Sequence, residues 1–252
     1  MNELHLFAGA GGGILGGLLL GHRPVCAVEI EEYPRKVLLQ RQRDGILPKF
    51  PIWDDVSTFD GNPWRGKVDV VCGGFPCQDI SAAANGKGGG IDGKRSGLWA
   101  EMHRIICEIR PRYAFMENSP IITSRGLGRV LGDLAEIGYN CRWSCFTGYE
   151  VGAPCKRERW FCVTEDSRAD KEPGEHPKPD MLNKALIKDK LWGAEVFSAL
   201  LERDKERMPI ISRDERVVNG LPHTVDRLSA IGNAQIPAVA ALAWQTLKIE
   251  QY

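Results

Sequence analysis

No stretch of this chain is apolar for long enough to span a bilayer; every leucine-rich cluster falls short of the ~20 residues that a transmembrane helix needs. Neither sign of charge dominates. Lys+Arg and Asp+Glu both total 33 among 252 residues, so no global positive field marks a nucleic-acid or membrane partner. A local basic strip remains open, and phosphate binding needs no more than that. The eight cysteines are too sparse for a disulfide scaffold, and no C-x-x-C pair offers a zinc clip. Cys141, Cys145, Cys155 and Cys162 read as buried structural thiols, three of them inside strand-like segments, and no metal is expected. Met1-Asn2-Glu3 runs straight into a strand without an export signal, so reduced thiols in a cytoplasmic protein are the expectation. Internal repeats and low-complexity runs are also lacking.

What is present is alternation of strands and helices. Short apolar runs at Glu3–Phe7, Pro24–Val28, Ile52–Trp53, Val68–Cys72 and Tyr113–Met116 predict strands. Helices are predicted near 14–20, 32–43 (with Val37, Leu38 and Leu39 as its apolar stripe), 98–109 and 125–137. Such a pattern indicates a mostly parallel sheet covered on both faces. Tyr139–Thr147 and Trp160–Thr164 read as two further strands joined by a polar turn, hence antiparallel. From Glu165 to Arg216 the chain is dense in charge, with a helix expected over 182–207; after Pro222 it turns core-like again and ends in a helix over 236–249.

Two strand ends carry reactive groups. Val68–Cys72 leads into Gly73-Gly74-Phe75-Pro76-Cys77-Gln78, which presents a thiol at the carboxyl edge of the sheet, where open α/β sheets bind ligands. Tyr113–Met116 ends in Glu117-Asn118-Ser119-Pro120. A thiol and a carboxyl group at neighbouring tips suggest covalent chemistry assisted by an acid. Phe7-Ala8-Gly9-Ala10-Gly11-Gly12 is a strand-to-helix glycine turn that admits a ligand close to the backbone. Glu29 ends the next strand, placed to accept from a ribose diol, and Asp55 is placed to take an adenine amino group. The turn departs from G-x-G-x-x-G, and the sequence sets no positive side chain beside it. A ligand without phosphate, such as S-adenosylmethionine, therefore suits it better than a dinucleotide.

With these blocks assembled, the chain resembles the DNA (cytosine-5)-methyltransferase family in its compact phage or prophage form. The resemblance rests on Phe7–Gly12, Glu29, Asp55, Gly74–Gln78, Glu117-Asn118, Arg157-Glu158-Arg159 and Ile231-Gly232-Asn233, in that order. It implies a Rossmann-like α/β fold with a mixed, mostly parallel seven-stranded sheet and helices on both faces. Residues 1–165 and 222–252 would form the catalytic domain, and 166–221 a small target-recognition insert. S-adenosylmethionine, leaving as S-adenosylhomocysteine, would lie against Phe7, Ala8, Gly9, Gly11, Gly12, Glu29, Ile30, Asp55, Val56, Gly74, Pro76, Leu98, Asn233 and Ala234. Cys77 would add to carbon 6 of a flipped-out cytosine, with Gln78 beside it and Glu117 donating a proton at ring N3. Asn118 would hold the loop geometry. Arg157 and Arg159, read as alternating along a strand start, would share one face and support the base, the acid and the nearby backbone. The family commonly has glutamine at the position of Cys155 and valine at that of Ser119.

Ile80–Ser96 is rich in glycine and reads as a lid over the substrate, with Ser81, Lys87, Lys94, Arg95 and Arg157 as DNA contacts. Lys184, Lys188, Lys190, Arg203 and Arg207 of the insert offer further phosphate contacts and a short target of two to four base pairs. The final helix is expected beside the first, because the chain begins too close to its first strand for that wall to come from upstream. The implied partner is duplex DNA, approached by a monomer in a bacterial or phage-infected cell; a cognate restriction endonuclease is left open. Two alternatives stand beside this reading: the same chemistry on tRNA, and a catalytically silent DNA-binding relative.

Overall fold

Alternation along short strands decides which face each residue buries. In the computed structural model, residues 1–76, 97–153, 155–169 and 235–248 are described. They form β1 (Asn2–Leu6), α1 (Gly12–Leu19), β2 (Arg23–Val28), α2 (Glu32–Arg43), β3 (Ile52–Trp53) and β4 (Val70–Gly73). There follow α3 (Gly97–Ile109), β5 (Tyr113–Asn118), α4 (Ile122–Arg125), α5 (Leu127–Glu136), β6 (Tyr139–Phe146), β7 (Arg159–Asp166) and α6 (Pro237–Lys248). The strands join in one sheet of order β3-β2-β1-β4-β5-β7-β6. β1 to β5 are parallel, and β7 runs antiparallel between β5 and β6. The seven-stranded, mostly parallel α/β sheet implied by the resemblance is the observed one.

Val71, Ala114, Met116, Trp160 and Cys162 bury one face of the sheet against Met102, Ile105, Ile106 and Ile109 of α3 and Val130 and Leu134 of α5. Val70, Cys72, Tyr113, Phe115, Phe161 and Val163, one position out of phase, bury the other face against Ala240, Ala243 and Trp244 of α6. Period-two alternation with apolar residues on both faces is what a doubly covered sheet requires. Trp244 anchors the second layer, its ring meeting Phe115 edge-on at 5.4 Å and Tyr113 at 5.6 Å. α6 lies beside α1, as expected: a methyl group at Gly16 would sit 3.0 Å from the Ala240 side chain and 3.0 Å from the Pro237 carbonyl.

Several local expectations shift. In α2 only Leu38 is buried, while Leu39 is 43% exposed. Three consecutive helical residues fan over about 200°, too wide for one face. The helix expected over 125–137 is α5, which starts at Leu127 after Gly126, with the short α4 ending just before it. β5 runs on through Glu117 and Asn118, so both lie inside the strand rather than after it. Cys141, Cys145 and Cys162 do lie in β6 and β7, but Cys155 is exposed in the connection between them, and only Cys162 of the four is buried. The helix expected over 182–207, and nearly all of the insert, lie outside the described residues. Among the described residues, no helix is long and apolar enough to cross a membrane.

Candidate active site

Parallel register places the site. Leu6 pairs with Val28 on one side and with Gly73 on the other, and Gly73 pairs with Met116. One residue further on, Glu29, Phe7, Gly74 and Glu117 stand in a single row at the carboxyl edge. The chain order reverses between β1 and β4, which makes this the switch point where such sheets bind ligands. Because β7 is antiparallel, its first residue, Arg159, begins at the same edge, just beyond the Asn118–Trp160 pair. Topology thus brings a carboxyl and a guanidinium together from opposite chain directions.

A cleft opens between this row, α1 and α6. Phe7, Ala8, Gly9, Gly12, Gly74, Glu117 and Gln235 line its upper part, and Glu3, His5 and Cys72 lie deeper. Phe7 adopts φ 53° and Gly11 φ 90°, so the turn holds one non-glycine residue in the left-handed region. Such a conformation costs on the order of 1–3 kcal/mol and is typical of ligand-binding turns. The Gly9 N–H donates to Glu29 Oε2 at 2.6 Å and the Glu31 N–H to Oε1 at 2.9 Å. Burial nevertheless pushes the Glu29 carboxyl above its ordinary value, the backbone donors only partly offsetting it.

The acid corner is tighter. Arg159 Nε lies 3.1 Å from Glu117 Oε1, and Gln235 Nε2 lies 3.4 Å from Oε2. Burial pushes the Glu117 carboxyl up to about 7, against the pull of Arg159, Arg157 and Gln235. The charges of two guanidiniums thus act on a carboxyl that burial keeps above its ordinary range. Gly74 is required here, since a Cβ would stand 2.6 Å from Glu117 Oε2. Asn118 Nδ2 donates to the Phe75 carbonyl at 3.0 Å, and Asn118 Oδ1 accepts from the Ser119 N–H at 2.7 Å. Asn118 therefore ties the end of β5 to the turn that leads into Pro76 and Cys77.

Other expected residues fall less simply. Asp55 caps the short 3-10 turn at Val56–Thr58, its Oδ1 accepting from the Ser57 N–H and Oγ–H, each at 2.8 Å. These bonds hold its carboxyl below the ordinary value. Val56 is buried in the core, whereas Ile30 is 63% exposed at the rim. Leu98 lies in the first turn of α3, half-buried against the core. Arg157 precedes β7 with φ 29° rather than alternating with Arg159 along a strand, so shared strand phase does not bring the two together. The charges of both arginines still act on Glu117. A positive side chain does reach the glycine turn, because Arg41 of α2 donates to the Ala10 carbonyl at 2.6 Å. Adjacency in the fold, not in the sequence, put it there. The cleft lining itself contains no lysine or arginine. Cys77, Gln78, Ser81, Lys87, Lys94, Arg95, Asn233, Ala234 and the insert lysines and arginines lie outside the described residues.

Gln235 is the residue that sequence reasoning missed. It touches Glu117, its side chain lies against Gly13, and a Cβ at Gly12 would overlap its carbonyl. The only available signal was its position directly after Asn233-Ala234.

Residues 1–217 match the family model described as C-5 cytosine-specific DNA methylase. The chain is 36% identical over 173 residues to type II methyltransferase M.CviJI of Paramecium bursaria Chlorella virus IL3A, covering 68% of this chain and 44% of that protein. It is 34% identical over 214 residues to type II methyltransferase M.Eco47II of Escherichia coli, covering 82% and 49%. The chain spans about half the length of these curated relatives. A solved E. coli structure, of a protein described as a candidate prophage-encoded DNA modification methyltransferase, matches with a TM-score of 0.52 at 23% identity, over 66% of this chain and 47% of that one. That match is a likeness of fold.

Proposed function

Because the chain belongs to the C-5 cytosine-specific DNA methylase family, we propose that it transfers a methyl group from S-adenosylmethionine to carbon 5 of a cytosine in duplex DNA. One observation carries the chemistry: the Glu117 carboxyl, half protonated near neutrality, stands one register step from the turn that leads to Cys77. Carbon 5 of cytosine is a poor nucleophile until a group adds at carbon 6. In this reading Cys77 Sγ forms a bond to carbon 6, and the electrons displaced into the ring are met by a proton from Glu117 at N3. Arg159 and Arg157 hold positive charge beside the ring as negative charge develops on it. Extrusion of the base from the stack costs a few kcal/mol and brings carbon 6 within reach of the thiol.

The cleft suits the cofactor. Its acidic lining, free of lysine and arginine, accommodates a ligand with a cationic sulfur and no phosphate better than a pyrophosphate. When bound, the cofactor supplies a methyl group on a positively charged sulfur. Glu29, already organised by two backbone donors, retains lone pairs for a ribose diol, and Ile30 offers an apolar surface at the adenine end. Residues 1–165 and 222–252 are assigned to the catalytic domain and 166–221 to target recognition by a monomer, with Ser81, Lys87, Lys94 and Arg95 at the phosphates.

Duplex DNA carrying 5-fluorocytosine tests the reading, because fluorine cannot leave as a proton does and the adduct persists. A covalent protein–DNA complex is expected in the presence of cofactor, lost in Cys77→Ser. No adduct across a panel of methylatable sequences would overturn it.

A further inference from the structure

The floor of the cleft holds a second group of reactive side chains, which methyl transfer does not use. Glu3 and His5 alternate along β1 and so share the face covered by α1 and α6, and His5 pairs in register with Cys72 of β4. All three are buried, with one donor atom from each (Glu3 carboxylate oxygen, His5 ring nitrogen, Cys72 Sγ) within 4.8 Å of the others. Glu3 Oε2 is 3.0 Å from His5 Nε2, while Oε1 is 2.7 Å from Nδ1 of His22. His22 is held in turn by the Trp244 ring, 5.4 Å away and edge-on. α1 passes directly above with Gly17, where any side chain would overlap the Glu3 carboxylate.

The Glu3 carboxylate is bonded by two imidazoles, and no lysine or arginine lines this cleft. The Cys72 thiol hydrogen-bonds to the same Glu3 carboxylate, so all three side chains converge on one point. A cation uses all three donors, and a carboxylate, an imidazole and a thiol together form a zinc-type set.

We propose that Glu3, His5 and Cys72 bind one zinc-class divalent cation on the floor of the cleft, with His22 fixing the carboxylate from behind. Metal–ligand bonds of about 2.0–2.3 Å place tetrahedral donors about 3.3–3.6 Å apart, so the site forms by side-chain adjustment on an unmoved sheet. Binding forms the metal–sulfur bond and releases the thiol proton to solvent. Thiolate and carboxylate then neutralise the dication, and His5 binds as neutral imidazole. His22 plays the outer-sphere part that ligating carboxylates require. The same cleft that admits the cofactor gives the metal its entry path. This site stands independently of the methyl-transfer reading, because its readout is metal content.

The test uses the full chain, produced in zinc-supplemented medium and dialysed before elemental analysis. One zinc per chain is expected, with an X-ray absorption spectrum showing one sulfur and the remaining scatterers nitrogen or oxygen. Cys72→Ser should retain at least tenfold less. Substoichiometric zinc both as purified and after addition of excess zinc overturns the proposal, as does a sulfur-only shell, which would place the metal on other cysteines. The spectrum of the unaltered chain decides the matter even where the variant fails to fold.

Discussion

One cleft holds two buried glutamates whose carboxyl groups are driven in opposite directions. Glu3 is 2% exposed and Glu117 9%, so both meet a large desolvation penalty. At Glu3 two imidazoles bond at 2.7 and 3.0 Å and bring the group down to about 2. At Glu117 the partners are an arginine nitrogen at 3.1 Å and an amide at 3.4 Å, and the group stays up at about 7. Short, direct hydrogen bonds to the ionised form outweigh burial; one guanidinium contact and a long amide bond do not. The floor is thus built to hold a charge and the mouth to hold a proton.

The sharpest way to break the comparison is to remove each carboxylate. Glu117→Gln should lower methyl transfer by about 10²–10⁴-fold, the usual worth of a positioned acid, in a radiolabelled-methyl assay on duplex DNA. Glu3→Leu strips a buried charge from its partners and should cost about 3–5 kcal/mol in urea unfolding. Equal stability losses in the two variants would erase the distinction.

The pH dependence of stability comes next. The Glu117 carboxyl is neutral in both states below its ordinary value of 4.5 and ionises in the folded state only near 7. Between these values the unfolded chain gives up the proton first, so folding becomes less favourable as pH rises. Relative to Glu117→Gln, the parent chain should lose about 3 kcal/mol from pH 4.5 to 7 and no more above it. A flat difference across that window would contradict the raised value.

Gly74→Ala introduces a Cβ 2.6 Å from Glu117 Oε2 and should cost about 1–3 kcal/mol together with part of the activity. Gln235→Leu should have the smallest effect. Without the amide donor the Glu117 carboxyl rises further, so the alkaline limb of the pH–rate profile should move upward by a fraction of a unit. An unmoved limb would show that Gln235 does not act on the acid.

Much of the site was legible because strands are short and end where their chemistry begins. The apolar run at Val68–Cys72 and the glycines after it located the turn to Cys77, and Tyr113–Met116 located Glu117. A period of two, read against parallel pairing, put Glu29, Gly74 and Glu117 in one row. Arg157 was misplaced because its alternation with Arg159 assumed a strand that begins two residues later. Leu39 was misplaced because adjacent apolar residues in a helix point apart.

From the sequence alone came the kind of sheet, the strand tips that carry the candidate site and the residue types that stand there, since periodicity and punctuation are local properties of a chain. Only tertiary structure decided that Gln235 reaches Glu117 across 118 positions, that Arg41 braces the glycine turn, and that Glu3 meets His22 beneath α1. These contacts depend on how closely α1 and α6 lie against the sheet, which the small residues Gly12, Gly16 and Gly17 permit. Side chains that meet through such packing share no spacing along the chain, so no pattern in it announces them.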